Sequence, residues 1–179
     1  GLYINLGIDG GTSYSKISEG FIEKFSNERG LKFYDVNYLN QFGEAVPETA
    51  RRTRRGRSRP CSVCGLVKRH LMNQFACDHG YDVLVTAHNL DDQVAFLFGN
   101  LLEWDIERMR RQSPLLPTEQ GFIRKAKPFY RLSERETTAY AIVRAIDYIQ
   151  IECPFSTGSK QIQYKKLMNQ LEEEQPGAK

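Results

Sequence analysis

The sequence lacks the features that would place it in a membrane or on a secretory route. No stretch approaches the run of about 18 apolar residues that a membrane helix requires. The first residues also lack the basic-then-apolar layout of a secretory signal. We therefore expect a cytoplasmic protein with no membrane partner. A chain of 179 residues with 40% hydrophobic content can bury one sizeable core, so residues 1–179 are predicted to form a single domain.

Cysteine is scarce, and a strong net charge is absent. The formal net charge is only +3, which by itself says little about partners. The four cysteines are poor disulfide candidates in a reducing cytosol, so Cys61 and Cys64 of the CSVC motif indicate metal binding or redox chemistry. A structural zinc ion needs four ligands, and the sequence has no second CxxC pair or HxxxH pair to supply the other two.

One further cysteine is a candidate ligand. Cys153 stands in a Cys-Pro dipeptide at the end of a predicted strand. Three thiolates from two distant segments suit a cubane iron–sulfur cluster with one open iron. The alternative is a redox or zinc-binding thiol pair with Cys153 merely buried, and the spacing alone favours neither interpretation. Cys77 lies within a predicted helix and is expected to be a small buried side chain.

Short apolar segments alternate with helical patterns along the chain. This alternation predicts an α/β fold with a largely parallel, doubly wound sheet. The predicted strands are LYINLG, LKFYDV, YDVLVTA and YIQIEC, and the predicted helices cover residues 16–29, 65–79, 90–102, 133–145 and 159–174. Residues 47–60 show no periodicity and contain RRTRRGRSRP. They are predicted to form a mobile basic loop, in which Pro60 would stop a helix.

The segment TAHNLDDQ follows the strongest predicted strand and opens a helix. Asp91 and Asp92 at this point can bind Mg²⁺ or orient a reacting group, although an aspartate near a helix start is also the commonest N-cap. His88 is either a nucleotide contact in the strand-exit loop or a core histidine. The candidate nucleotide-binding residues are Ala87, His88, Asn89, Asp91, Lys127 and Arg131.

Basic residues in three places are candidates for contacts with phosphate. Lys68, one helical turn beyond Cys64, would stabilise phosphate charge or lower a thiol pKa, and the alternative is a solvated lysine. Lys127 could share an anion with the helix N-terminus that follows it, assisted by Arg131, or both could be surface charges. Six arginines just ahead of the CxxC motif favour contacts with RNA phosphates over a merely solvated loop. They are Arg51, Arg52, Arg54, Arg55, Arg57 and Arg59.

Taken together, four segments resemble the tRNA 2-thiouridine synthetases, a family of the PP-loop ATPase (adenine nucleotide alpha-hydrolase) superfamily. They are CSVCGLVKRHLMNQ, TAHNLDDQVAFLFGNLL, KAKPFYRLSERE and ECPFSTGSK, in the same order. The similarity spans nearly the whole chain and is closest to the branch that thiolates a T-loop uridine. The resemblance implies a Rossmann-like fold, a [4Fe-4S] cluster on Cys61, Cys64 and Cys153, and catalytic roles for Asp92 and Lys68.

The resemblance also implies a reaction. In this family ATP adenylates the uridine C2 oxygen, and sulfur from a ubiquitin-like carrier protein or from sulfide then displaces AMP. We therefore expect the protein to bind ATP, Mg²⁺, a [4Fe-4S] cluster and tRNA. A homodimer is one assembly that it could form. One alternative is thiolation of a wobble uridine or formation of 2-thiocytidine. Another is a fragment that binds RNA or a cluster without catalysis.

The sequence departs from the family pattern in several places. The SGGKDS loop that grips pyrophosphate does not occur, so the sheet is expected to lack its first strand. The zinc-binding cysteine pairs of both family termini are absent too. Ala87 stands where the family usually has Gly, and Gln93 where it usually has Glu. The extra methyl group of Ala87 near the adenine side is expected to weaken ATP binding.

Overall fold

Helices and short strands alternate in a computed structural model, which describes residues 1–119 and 121–179. Contacts divide the chain into two compact units. The first comprises Gly1–Phe75 and Ile142–Thr157, and the second comprises Ala76–Ala141 and Gly158–Lys179. The single domain over residues 1–179 stays a prediction. Among the described residues, no helix combines the length and the apolar character that a membrane crossing requires.

A parallel pair of strands opens the first unit. β1 (Leu2–Asn5) pairs with β2 (Tyr34–Asn37), and Leu2 lies opposite Tyr34 in the register. The two strands are connected by α1 (Tyr14–Glu28). A parallel pair needs such a crossover connection, so this is the βαβ unit that the sequence predicts.

Four helices follow β2: α2 (Tyr38–Phe42), α3 (Val46–Arg52), α4 (Arg54–Ser58) and α5 (Pro60–Asp78). Residues 47–60 are therefore largely helical and do not form the predicted loop. Thr53 explains part of the difference, because its hydroxyl oxygen accepts a hydrogen bond from the Gly56 N–H at 2.9 Å and caps α4. Pro60 begins α5 instead of stopping a helix, since the first helical turn does not use its missing N–H.

Apolar side chains from these elements form the core of the first unit. The cluster consists of Ile4, Leu6, Ile8, Val36, Tyr38, Val46, Ala50, Val63 and Leu71. Val46 and Ala50 of α3 are 2% and 1% exposed. One side of α3 is buried, so its arginines lie on the other side. The sequence showed no periodicity here and did not predict this helix. Val63 stands between the two cysteines of the CxxC motif, so the core fixes the start of α5.

The second unit contains a sheet with the strand order β3-β5-β4. β3 (Val83–Val85) runs parallel to β5 (Arg124–Ala126), and β4 (Leu115–Leu116) runs antiparallel to β5. The helices are α6 (Leu90–Leu102), α7 (Ile106–Arg110), α8 (Glu134–Val143) and α9 (Lys160–Glu174). α6 packs along α9. They approach closely where an added Cβ on Gly99 would lie 2.8 Å from the Tyr164 ring.

Two local predictions differ from the structure. The segment YIQIEC is not a strand, and no described strand pairs with it to satisfy its backbone groups. Its Tyr148 and Ile151 side chains are exposed, so the apolar run does not mark a buried strand. Cys77 is exposed rather than buried, because it occupies the outward side of the last turns of α5.

Candidate cysteine centre and carboxylate site

Two of the predicted ligands lie at the beginning of a long helix. Cys61 and Cys64 occupy the first turns of α5, and a spacing of three residues places both on one side of the helix. The free N–H groups and the dipole at a helix N-terminus favour the thiolate form of cysteine. Cys61 is exposed and Cys64 is half-buried, so both are reachable from outside while Cys64 also contacts the core.

The third predicted ligand comes from the segment after α8, and the fold brings it to the same place. The Cys61 thiol donates a hydrogen bond to the Phe155 carbonyl at 3.3 Å. The Ser156 N–H donates to the Cys153 carbonyl at 2.9 Å, which makes a tight turn of Cys153, Pro154, Phe155 and Ser156. We call residues 153–156 the CPFS turn. Cys153 and Phe155 also pack against the core cluster.

The thiols at this centre influence one another. Burial raises the pKa of Cys61, the charge of Cys153 raises it further, and Lys68 acts in the opposite direction. Burial likewise raises the pKa of Cys64, Lys68 opposes it, and the charges of Cys61 and Cys153 add to the increase. Three nearby thiolates would repel one another, so a cationic group that binds all three would stabilise them.

The donor set at this centre suits iron–sulfur chemistry. Among residues 1–119 and 121–179, no three His, Cys, Asp or Glu side chains form a group that could hold one metal ion. Three soft thiolates are also the donor set that iron–sulfur chemistry prefers. The residues present therefore fit a [4Fe-4S] cluster with one iron left open.

In the second unit, Asp92 is both a helix cap and an ion-pair partner. The Asn89 side chain accepts a hydrogen bond from the Asp92 N–H at 3.0 Å, and Asp92 Oδ2 accepts one from the Asn89 N–H at 3.1 Å. This is a capping box at the start of α6. The other carboxylate oxygen lies 2.8 Å from Lys165 Nζ of α9. The capping alternative is therefore present, together with an ion pair that the sequence did not indicate.

Asp91 is buried, and both of its carboxylate oxygens have protein partners. Lys179 Nζ lies 2.6 Å from Oδ1, and the Glu134 N–H donates to Oδ2 at 2.6 Å. Burial raises the pKa of the Asp91 carboxyl, but the hydrogen bonds from Lys179 and from the Glu134 N–H outweigh this effect and hold the pKa below its usual range. Lys165 also contacts Glu134 at 3.1 Å. These contacts join α6, α8 and α9.

Two further nucleotide candidates have neutral partners. His88 Nδ1 lies 2.8 Å from Thr86 Oγ1, and Lys127 Nζ donates to Gln93 Oε1 at 3.1 Å. Burial lowers the pKa of Lys127, and the nearby charge of Lys125 lowers it further. In the part of the chain that the structure describes, no carboxylate forms an ion pair with Lys127. A half-buried cation with only a neutral partner is suited to an anionic ligand.

The remaining candidates are at the surface. Ala87, Lys68 and Arg131 are exposed, and the Arg131 guanidinium lies 5.6 Å from the centre of the Tyr130 ring. All six arginines of residues 51–59 are exposed as well. Arg52 pairs with Glu44. The helical pair α3 and α4 thus presents a basic surface rather than a mobile chain.

Sequence reasoning missed several residues at these sites. Lys165 and Lys179 lie in or after a polar helix, where nothing in the local pattern separates them from solvated lysines. Gly10 lies between the predicted strand LYINLG and the predicted helix over residues 16–29 and is not among the candidate residues. The adjacent glycines of GIDGG were the available signal, because paired glycines often mark a close approach of two backbone segments.

The whole chain matches tRNA thiolation enzymes. It is 45% identical over 179 residues, 100% of its length, to a tRNA-5-methyluridine(54) 2-sulfurtransferase of Thermus thermophilus. It is 42% identical over 99% of its length to the enzyme of that name from Pyrococcus horikoshii. The resemblance to the tRNA 2-thiouridine synthetases of the T-loop branch is confirmed. The chain covers 54% and 55% of these two relatives, so it spans about half their length. A scan against protein-family models gives no match.

A solved structure has the same fold. It is a U34-tRNA thiolase from Methanococcus maripaludis with its [4Fe-4S] cluster. The TM-score is 0.82 at 25% sequence identity, over 99% of this chain and 56% of that one. The predicted Rossmann-like α/β fold class is confirmed by this similarity.

Proposed function

We propose that this chain is a catalytic segment of an ATP-dependent tRNA 2-thiolation enzyme. The observation that carries the proposal is the contact between the CPFS turn and the first turn of α5, because it brings the segment that contains Cys153 against the helix that carries Cys61 and Cys64. The two relatives at 45% and 42% identity carry the name of a methyluridine-54 enzyme. They support the T-loop uridine as the substrate. The U34 thiolase at 25% identity makes the wobble uridine the second candidate.

Cys61, Cys64 and Cys153 are proposed to hold the cluster. A [4Fe-4S] cluster on these three thiolates would supply one iron with an open position for hydrosulfide. Lys68 lies one helical turn from Cys64, and its charge opposes the rise that burial causes in the pKa of Cys61 and of Cys64. Its proposed role is to favour the thiolate ligands and to offset the negative charge that gathers near them.

The chemistry proposed for ATP is activation of a poor leaving group. The uridine C2 oxygen attacks the α-phosphorus of ATP and pyrophosphate leaves. Hydrosulfide then attacks C2, the bond to the adenylated oxygen breaks, and AMP leaves. Lys127 is proposed to contact the phosphates because its only polar side-chain contact in the described structure is the neutral Gln93. His88, Asn89 and Ala87 in the strand-exit loop, with Arg131, complete the proposed nucleotide site.

The partners of the two aspartates limit how Mg²⁺ can bind. All four carboxylate oxygens of Asp91 and Asp92 have protein partners, so the pair does not form a preformed metal cage. Mg²⁺ often depends on substrate phosphates and keeps several waters. We therefore propose that it arrives with ATP. Asp92 is the proposed catalytic carboxylate, while Asp91 stabilises the arrangement of α6 and α8.

The helical pair α3 and α4 is proposed to contact the tRNA backbone. Arginine contacts to phosphates are independent of base sequence and weaken as the salt concentration rises. The six exposed arginines of residues 51–59 are close enough in sequence to follow one stretch of backbone. A ubiquitin-like carrier protein or sulfide is the proposed sulfur donor, and a homodimer is the proposed assembly. The cytoplasm is the proposed location, in keeping with a relative named cytoplasmic tRNA 2-thiolation protein 1 from Caenorhabditis elegans, 29% identical over 88% of this chain.

Metal analysis of the full-length protein tests the cluster. After anaerobic purification, iron and acid-labile sulfide are measured and the absorption spectrum is recorded for the wild type and for Cys153→Ser. Cys77→Ser is the matched control, because Cys77 is exposed and has no proposed role as a ligand. We expect the iron chromophore to disappear only in Cys153→Ser. Equal zinc in all three proteins, without iron, would refute the cluster.

The substrate is tested by incubating the protein with ATP, sulfide and tRNA, followed by mass spectrometry of the nucleosides. Sulfur at the T-loop uridine is expected. Sulfur at the wobble position would instead establish the second candidate. A cluster-loaded full-length protein that thiolates neither position would overturn the proposed reaction.

A further inference from the structure

The loop after β1 makes an unusually close contact with the CPFS turn. Gly10 has a φ of +58°, and a Cβ added there would lie 2.4 Å from Pro154 Cγ and 2.7 Å from Pro154 Cβ. Only a residue without a side chain fits this approach. Pro154 directly follows Cys153 in the chain, so the contact reaches the third cysteine.

The loop itself is held by its own hydrogen bonds. The Ser13 N–H donates to Asp9 Oδ1 at 2.8 Å, and the Thr12 N–H donates to the Asp9 carbonyl at 3.0 Å. The Ile8 N–H donates to Ser15 Oγ at 3.0 Å, and Ile8 is part of the core cluster. The loop is thereby fixed to β1 and α1. A side chain added at Gly10 would therefore press against Pro154 of the CPFS turn.

The proline ring has little freedom to yield. Its ring closes on its own backbone nitrogen, so Pro154 cannot turn aside as a flexible side chain would. On its other side the CPFS turn contacts the start of α5 through the hydrogen bond from Cys61 to Phe155. The turn is therefore confined between the loop after β1 and the CxxC helix.

We propose that the GIDGG loop positions Cys153 toward Cys61 and Cys64, and that Gly10 is the residue on which this depends. Gly10 is a positioning residue: it acts on the third ligand through Pro154. The inference deepens the proposed function and rests on it insofar as the three cysteines hold a cluster. The loop that follows β1 thus has a role in building the cysteine centre, apart from any contact with nucleotide.

The chain offers a matched control at the next position. Gly11 also has a positive φ, +77°, but a Cβ there would meet nothing within 4 Å. Gly10→Ala and Gly11→Ala therefore impose the same kind of backbone strain, and only the first adds a clash with Pro154. The comparison separates displacement of the CPFS turn from a general loss of stability.

The first readout is the cluster in the full-length protein. Iron, sulfide and the absorption spectrum are measured after anaerobic reconstitution of the wild type and both variants, with circular dichroism and melting curves to check folding. We expect Gly10→Ala to lose cluster affinity by about 10-fold or more, the range found for residues that orient metal ligands. Gly11→Ala should keep the wild-type spectrum. Equal spectra for the two variants would overturn the proposal.

The second readout needs no cluster. In a Cys77→Ser background, the iron-free protein is treated with a short reagent that joins two thiols, and the joined peptides are identified by mass spectrometry. We expect the yield of Cys153 joined to Cys61 or Cys64 to fall in Gly10→Ala and not in Gly11→Ala. If this difference appears while the wild type takes up no iron, the positioning role holds and the proposed cluster fails.

A variant on the other side of the contact covers the case in which Gly10→Ala does not fold. Pro154→Ala removes the ring atoms that touch Gly10 and adds no clash. It is expected to lower the same crosslinking yield by loosening the CPFS turn. An unchanged yield in Pro154→Ala would contradict the proposed contact.

Discussion

The cysteine centre and the carboxylate site are built by different forces. The cysteines stand on the apolar core of the first unit, where Val63 is buried between Cys61 and Cys64 and the CPFS turn packs against the same cluster. Asp91 and Asp92 are instead held by hydrogen bonds and by ion pairs with Lys179 and Lys165. The cysteine centre is therefore held by the packing of apolar side chains, and the carboxylate site by hydrogen bonds and ion pairs.

This difference explains how each site can serve its proposed chemistry. A cluster needs three sulfurs held at fixed separations, and close packing of apolar groups keeps positions fixed. Activation of ATP needs charged side chains that can leave a protein partner and contact the ligand. The Asp92–Lys165 ion pair is partly exposed, with 27% of the Asp92 side chain and 22% of the Lys165 side chain accessible. A ligand can therefore compete for Asp92 or for Lys165 without unfolding a core.

The largest expected effect separates the two sites by function. Asp92→Ala removes the proposed catalytic carboxylate and is expected to lower thiolation by about 100-fold or more, while iron and sulfide stay at the wild-type level. Asp105→Ala is the control, since Asp105 also caps a helix and pairs with an arginine, at 3.0 Å from the Arg108 N–H and 3.1 Å from its Nε. Loss of iron in Asp92→Ala would show that the two sites are not independent.

The next effect concerns the stability of the carboxylate site. Asp91→Ala leaves the Lys179 ammonium, 12% exposed, without its partner and removes the acceptor for the Glu134 N–H. We expect the free energy of unfolding to fall by about 3 kcal/mol, as measured in urea. Glu103→Ala breaks the exposed pair with Lys160 and should cost less than about 1 kcal/mol. An equal loss of unfolding free energy in Asp91→Ala and Glu103→Ala would mean that burial does not make the Asp91–Lys179 pair more stabilising than the exposed Glu103–Lys160 pair.

A somewhat smaller effect is expected from the core beneath the cysteines. Val46→Ala removes two buried methyl groups from a side chain that is 2% exposed, and the expected cost is about 2 kcal/mol. Because the loss is one of packing, it should change little with salt concentration. Val143→Ala, at a position 82% exposed, should be within about 0.5 kcal/mol of the wild type. A strongly salt-dependent cost for Val46→Ala would contradict the assignment of this site to apolar packing.

The smallest effect is the response to acid. The folded state lowers the pKa of Asp91, so the unfolded chain binds more protons than the folded one around this group. Its contribution to stability is complete above the unfolded value of about 4 and is lost as the pH falls through the lower folded value. Urea unfolding between pH 5 and pH 2 should therefore show a steeper loss in the wild type than in Asp91→Asn. Identical slopes would remove Asp91 from the acid response.

The sequence alone predicted most of the helices and all of the candidate cysteines, for reasons that are local. The helix predicted over residues 133–145 is present as α8. The Ser133 N–H donates to the Glu136 carboxylate at 2.7 Å at its start, a cap that depends only on residues three apart. The βαβ unit from β1 to β2 followed from apolar periodicity. The prediction of a strand at YIQIEC was wrong, because a strand forms only where a neighbouring strand from elsewhere in the chain pairs with its backbone.

What the sequence determined by itself was the chemistry available: three soft thiols, two adjacent carboxylates, a run of arginines and the family that they resemble. What only the tertiary structure decided was which groups meet. Lys179 reaches Asp91 from 88 positions away, and Gly10 fits against Pro154, because folding and not spacing sets these distances. Periodicity reports which side of one element is apolar, whereas contacts between remote segments depend on how several elements pack together.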